Sequence, residues 1–130
     1  MKILFLFWFF SFKSIQLKAQ QNIYPTYAGN DLGLTYSKSA SGFRIWAPTA
    51  SKVRLHLYQQ PLGGEALTTI ELKKSIQGTW TTTLTGDRAG IFYTFSAEYN
   101  GQWLNEVPDP YAKAVGTNGK RAMIVDLVKT

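Results

Sequence analysis

From residue 40 onward the polarity of the chain repeats every second residue. Val53, Leu55 and Leu57 alternate with Lys52, Arg54, His56 and Tyr58, and a period of two puts each set on its own face of an extended strand. Phe43, Ile45 and Ala47 alternate in the same way ahead of Pro48, whose missing N–H interrupts a ladder. Further strand-like runs cover 66–72, 79–84, 91–99, 102–107 and 122–127. Turn formers separate them: Pro61-Leu62-Gly63-Gly64, Gln77-Gly78, Gly86-Asp87 and Asn100-Gly101. The last is the strongest hairpin signal, because Asn and Gly both tolerate positive φ in a two-residue turn. No stretch repeats convincingly with a helical period. The pattern implies an all-β chain, an immunoglobulin-like antiparallel β-sandwich of about seven strands.

Two segments at the front lie outside this pattern. Met1-Lys2 is a short positive start, residues 3–12 form a nearly unbroken apolar run, and the chain turns polar up to Ala19. That layout is a signal peptide over 1–19, with an apolar core too short to span a bilayer as a helix. It implies an exported module, periplasmic or extracellular, with no membrane attachment after cleavage. Residues 20–41 read as an irregular lead-in with a short strand at 34–36, and the sandwich is expected over 42–130. Inside it, 107–121 carries Pro108, Pro110, Gly116 and Asn118-Gly119. This is the signature of a long connection, which needs an apolar anchor, and Tyr111 is the natural choice.

Charge and residue inventory exclude several functions. Of 14 basic residues, Lys2, Lys13 and Lys18 leave with the signal peptide, while all eight acidic residues remain. The mature net charge is +3 with no basic cluster, so nucleic acid is not an expected partner. Cysteine is absent and His56 is the only histidine, which removes disulfides, a thiolate nucleophile and the usual metal-ligand sets; neither metal nor cofactor is expected. Ser51 has no glycine-flanked elbow. Several carboxylates, among them Asp87 and Asp109, sit at turns where local hydrogen bonding is their ordinary role. No catalytic residue is assigned. At about 110 residues the mature chain buries around 65% of its unfolded surface, enough for a core without disulfides.

The tryptophans are more informative. Trp103 follows the Asn100-Gly101 turn, with Gln102 and Asn105 beside it. An exposed aromatic flanked by amides suits a sugar, whose apolar C–H face stacks while its hydroxyls bond the rim. The alternative is a half-buried cross-strand aromatic. Trp80 shares parity with Leu84 and reads as core. Trp46 lies beside Arg44 on the face opposite Phe43 and Ile45, where a large exposed aromatic suits an interface with another domain.

Three stretches resemble a known family. YAGNDLGLTY at 27–36, FRIWAPTASKVRL at 43–55 and DPYAKAVGTNGKRAMIVDL at 109–127 look like the amino-terminal module of type I pullulanases. Those enzymes belong to glycoside hydrolase family 13, and the module belongs to carbohydrate-binding module family 48. The resemblance implies an early-set, immunoglobulin-like sandwich placed before a catalytic barrel that hydrolyses α-1,6 links in pullulan, starch or glycogen. The barrel's motifs do not occur in these 130 residues, and the chain ends at Val-Lys-Thr, close to where a barrel would begin. A truncated or split gene product, or a separately encoded module, is therefore expected, inactive by itself.

The expected role is non-catalytic: packing against or orienting a pullulanase barrel in cis or in trans, with Trp46, Arg44 and Tyr111 at the interface. An alternative is a stand-alone α-glucan-binding module using Trp103, Asn100, Gln102 and Asn105, since Asn-Gly-Gln-Trp resembles the strand end of related glycogen-binding modules. Those modules carry a second tryptophan in a loop that corresponds here to residues 59–64, which hold no aromatic. The resemblance thus implies a one-sided platform and weak or no α-glucan binding. An exported sandwich used for adhesion or assembly is the third reading, on fold analogy alone.

Overall fold

The computed structural model describes residues 24–113 and 119–128. The expected signal peptide and part of the connection after Tyr111 lie outside them. Among the described residues there are nine strands: β1 Gly33–Tyr36, β2 Ala40–Trp46, β3 Lys52–Tyr58, β4 Thr68–Glu71, β5 Lys73–Lys74, β6 Thr79–Thr85, β7 Phe92–Tyr99, β8 Gln102–Trp103 and β9 Ala122–Met123. One sheet runs β1-β2-β6-β5 and the other β4-β3-β7-β8, with β9 also on β7. All pairs are antiparallel. Because β3 occupies one edge of β7, β8 and β9 share its other edge end to end.

The alternation in the sequence becomes the two faces of each sheet. Phe43, Val53, Leu55, Leu57, Trp80, Leu84, Tyr93 and Phe95 are buried between the sheets. Phe43, Tyr93 and Phe95 meet edge to face, with centroids 5.1, 5.8 and 6.1 Å apart, an arrangement that adds about 0.5–1.5 kcal/mol per pair beyond burial. Trp80 is core, as its parity required, and its indole N–H donates to the Ala47 carbonyl at 2.9 Å.

The chain passes between the sheets through short loops after β2 and β6, and through the single residue Leu72 between β4 and β5. Pro48 ends β2, while Ala47 keeps its N–H bonded to the Gly78 carbonyl. Buried Leu72 bonds through its N–H to Val53 in one sheet, and the next residue, Lys73, pairs with Thr81 in the other. The lead-in contributes to the sandwich as well. β1 and the start of β2 lie within 20–41 and are fully laddered, so the sheet begins before residue 42.

The long connection is held by a different residue from the one expected. Tyr111 is 52% exposed, whereas Asp109 is 4% exposed. The Asp109 carboxylate accepts from the Tyr93 hydroxyl at 2.8 Å and from the Tyr111 backbone N–H at 2.8 Å. A buried phenol needs an acceptor, and the Asp-Pro turn supplies it. Burial and the neighbouring Asp109 push the Tyr93 phenol far up, so it stays a donor.

The Asn100-Gly101 turn closes a two-residue hairpin with both residues at positive φ, pairing Tyr99 with Gln102 and Glu98 with Trp103. Beyond it, Leu104 bonds to Ala97, but Val107 bridges Phe95. One extra residue has entered β8's side of the ladder, a β-bulge. The bulge turns Glu106 onto the outer face of the sheet.

Candidate functional site

Three surfaces carry the residues singled out in the sequence: the outer face of each sheet and a cleft along the β1 side. On the outer face of the β4-β3-β7-β8 sheet, register places Lys52, Glu98 and Trp103 in one row and Glu71, Arg54 and Ser96 in the next. Arg54 reaches diagonally across β7, and its guanidinium carbon lies 4.0 Å from the centre of the Trp103 ring. The small side chain of Ser96 leaves room for that crossing. Trp103 is half-buried. Asn100 forms the turn and Gln102, paired with Tyr99, faces the other side of the sheet; both are exposed, as is Asn105 in the bulge. The four expected sugar-binding residues thus share a hairpin end but not one face.

The rest of that face carries two polar clusters, one around His56 and one around Glu106, which act on each other electrostatically. His56 Nε2 lies 2.6 Å from Ser96 Oγ and Nδ1 lies 3.1 Å from Thr69 Oγ1. A serine–histidine pair is the start of a nucleophilic dyad. Here, however, the orienting group is a neutral threonine hydroxyl, and Ser96 is 7% exposed in mid-strand. The pair ties β4, β3 and β7 together. Burial holds the imidazole below its ordinary pKa, opposed by Glu106 and assisted by Arg54. Glu106 accepts from Thr94 at 2.6 Å and from the Tyr58 hydroxyl. Burial raises the Glu106 pKa, but those two donors, with His56 and Arg121, hold it below the usual carboxylate range. Arg121 stacks 3.4 Å over Tyr58 and bonds the carbonyls of Gln60 and Gly63, fixing the 59–64 loop that lacks an aromatic.

The outer face of the β1-β2-β6-β5 sheet is strapped by the lead-in. Trp46 is 43% exposed, and its indole N–H donates to the Pro25 carbonyl at 3.1 Å. Arg44 pairs with Asp31 at 3.1 Å and donates to Thr79 Oγ1 at 2.7 Å and Ser75 Oγ at 3.2 Å, while Tyr27 lies under its guanidinium. The Tyr27 hydroxyl also bonds Asp31, and that bond, with Arg44, holds the Asp31 carboxyl below its ordinary value against the opposing effect of burial. Arg44 therefore works within the module, and the surface around Trp46 is partly covered by the chain's own residues.

Tyr111, the third expected interface residue, belongs to a separate surface. It lines a cleft of about 510 Å³ with Leu34, Tyr36, Tyr93, Met123 and Val125, rimmed by Lys38, Lys113 and Asp126. Leu127, also in the lining, is 56% exposed. Tyr36 donates to Asp87 at 2.6 Å, and that bond pushes its phenol up to about 12. Gly33 permits the cleft wall to approach: its φ is +91°, and a Cβ there would lie 2.8 Å from that of Tyr111. The residues for which the sequence indicated no role beyond strand parity or a turn are Arg54, Glu106 and Asp109. Only outward parity pointed to Arg54.

Comparison with known proteins gives the same architecture a family. Residues 31–112 match carbohydrate-binding module 48 (isoamylase N-terminal domain). The pullulanase of Bacillus subtilis (strain 168) is 32% identical over 99 residues, spanning 76% of this chain and 13% of that protein. The pullulanase of Paenibacillus barengoltzii, solved with maltotriose, is 45% identical with a TM-score of 0.75, covering 79% of this chain and 16% of that one. The pullulanase of Anoxybacillus sp. LM18-11, solved with maltotetraose, is 42% identical with a TM-score of 0.76 and covers 87% and 16%. The chain thus spans less than a fifth of the length of these relatives. It belongs to the carbohydrate-binding module 48 family and resembles the amino-terminal module of pullulanases.

Proposed function

We propose that the chain is the non-catalytic sandwich module of an exported, pullulanase-like α-1,6-glucan debranching enzyme, and that it packs against the catalytic barrel through the cleft. The observation that carries this reading is the cleft itself, an open apolar trough with Tyr111 and Leu127 more than half exposed at its edge. Exposed apolar surface of this kind marks an interaction site. Trp46 adds a second, smaller apolar spot on the strapped face.

The test mixes this chain with the Paenibacillus barengoltzii pullulanase from which the matching region has been deleted. Size-exclusion chromatography should show a complex, lost with Tyr111→Ser or Leu127→Asp. A chain that stays monomeric beside the deleted enzyme removes the reading. The second reading, α-glucan binding on Trp103, is favoured by one observation: a ring at an exposed hairpin end with part of its surface in solvent. Retardation in glycogen gels that disappears with Trp103→Ala would establish it.

A further inference from the structure

The two outward tryptophans are engaged differently, and the one suited to a sugar already has a neighbour on its ring. Trp46 donates its edge N–H to the Pro25 carbonyl. Trp103 has a guanidinium over its π face at 4.0 Å. A planar, weakly hydrated cation stacked on an aromatic satisfies the same electrostatics that favour a sugar C–H face there. Both cannot occupy one face at once.

We propose that Arg54 is the built-in occupant of the Trp103 platform and competes with α-glucan for the ring; this rests on the second reading above. The geometry also supplies the place to which Arg54 withdraws. Glu71 is its direct cross-strand partner on β4, on the same face, and directly opposed side chains have Cβ atoms only about 5 Å apart. In the structure the only ion pair among the described residues is Arg44 with Asp31, so Arg54 sits on the ring and not on Glu71. A glucan that takes the ring face would release the guanidinium toward that carboxylate. The contact therefore sets the affinity of the surface. It also accounts for a face with a module-48 frame and an aromatic-free 59–64 loop that presents so little open platform.

An exposed cation–π contact is worth about 0.5–1 kcal/mol, which converts to a roughly two- to fivefold change in affinity. Affinity electrophoresis in glycogen measures it directly. Arg54→Ala and Arg54→Met should bind about two to five times more tightly than the unmodified chain, Glu71→Gln more weakly, and Arg54→Ala with Trp103→Ala not at all. Thermal melts of each variant verify folding. If Arg54→Ala binds as the unmodified chain does, or more weakly, Arg54 is not a competitor and the proposal falls while the Trp103 reading stands. If neither is retarded, the uncovered ring is no platform and both fall together. The cleft reading is unaffected by either result, since its assay uses Tyr111 and Leu127.

Discussion

The two outer faces of the sandwich carry the same pair of residue types, an arginine near a tryptophan, and use them in opposite ways. On the strapped face Arg44 is held by a carboxylate and two hydroxyls, and Trp46 donates to the lead-in backbone. On the other face Arg54 is held by the Trp103 ring. The first set closes structure: it satisfies buried Thr79 and fixes the strap. The second is held by a contact worth far less, and only such a contact can be exchanged for a ligand. Residue type alone does not separate a structural arginine from an exchangeable one; the partners do.

The sharpest way to break the strapped face is at its corner. Gly78 has φ +77°, and a Cβ there would lie 2.8 Å from Pro48 Cβ and 3.2 Å from the Trp46 indole nitrogen. Gly78→Ala combines a left-handed backbone penalty with overpacking against a proline, an expected loss of roughly 2–4 kcal/mol. Urea denaturation should show it as a lowered midpoint with an unchanged slope. Arg44→Met comes next. It removes the charged donor from Thr79 Oγ1, which is fully buried and itself donates to the Ile76 carbonyl at 2.6 Å. A hydrogen bond to a charged group contributes about 1.5–3 kcal/mol, so a loss near 2 kcal/mol is expected in the same assay.

These two predictions differ in how visible they were in the sequence. Gln77-Gly78 announced a turn, alternation gave β2, β3 and β6 with their buried faces, and β7 was visible as a strand without its faces. Asn100-Gly101 gave the hairpin. What the sequence did not show depends on contacts between distant strands. β5 is two lysines, too short for any period. Asp109 looked like an ordinary turn residue because its partner, the Tyr93 hydroxyl, faces it only after β7 is buried. The Arg54–Trp103 contact is a diagonal across β7 and needs the register of three strands. Glu106 moves outward only because a bulge shifts that register by one residue.

Acid separates the faces more gently. Burial depresses the His56 pKa in the folded chain, so below about pH 6.5 the unfolded chain binds a proton that the folded chain resists. Stability is therefore complete above that value and falls as pH drops toward the lowered folded pKa. The strapped face responds in a different window. The depressed Asp31 carboxyl contributes stability above its unfolded pKa of about 4 and loses it as pH falls through the lower folded value. Melting temperatures at about pH 7 and about pH 5 should thus differ in the unmodified chain and differ less in His56→Gln, with Asp31→Asn leaving that difference intact. A slope between those two values that survives His56→Gln would assign it to another group.

The smallest effect tests the comparison most directly. If Arg54 is held only by the ring, Arg54→Ala should cost no more than about 1 kcal/mol, the worth of an exposed cation–π contact, less than Arg44→Met although both remove an arginine from a sheet face. Arg54→Ala and Trp103→Ala should also fail to add: once either partner is gone the contact is gone, so the double variant should lose less than the two singles together. For Arg44 the corresponding cycle runs with Asp31. Because Thr79 and Ser75 remain as partners, Arg44→Met should stay costly even in Asp31→Asn. An arginine whose cost persists after its first partner is removed is part of the fold. One whose cost disappears with a single ring is available for exchange, and the two cycles assign Arg44 and Arg54 to these roles without any ligand present.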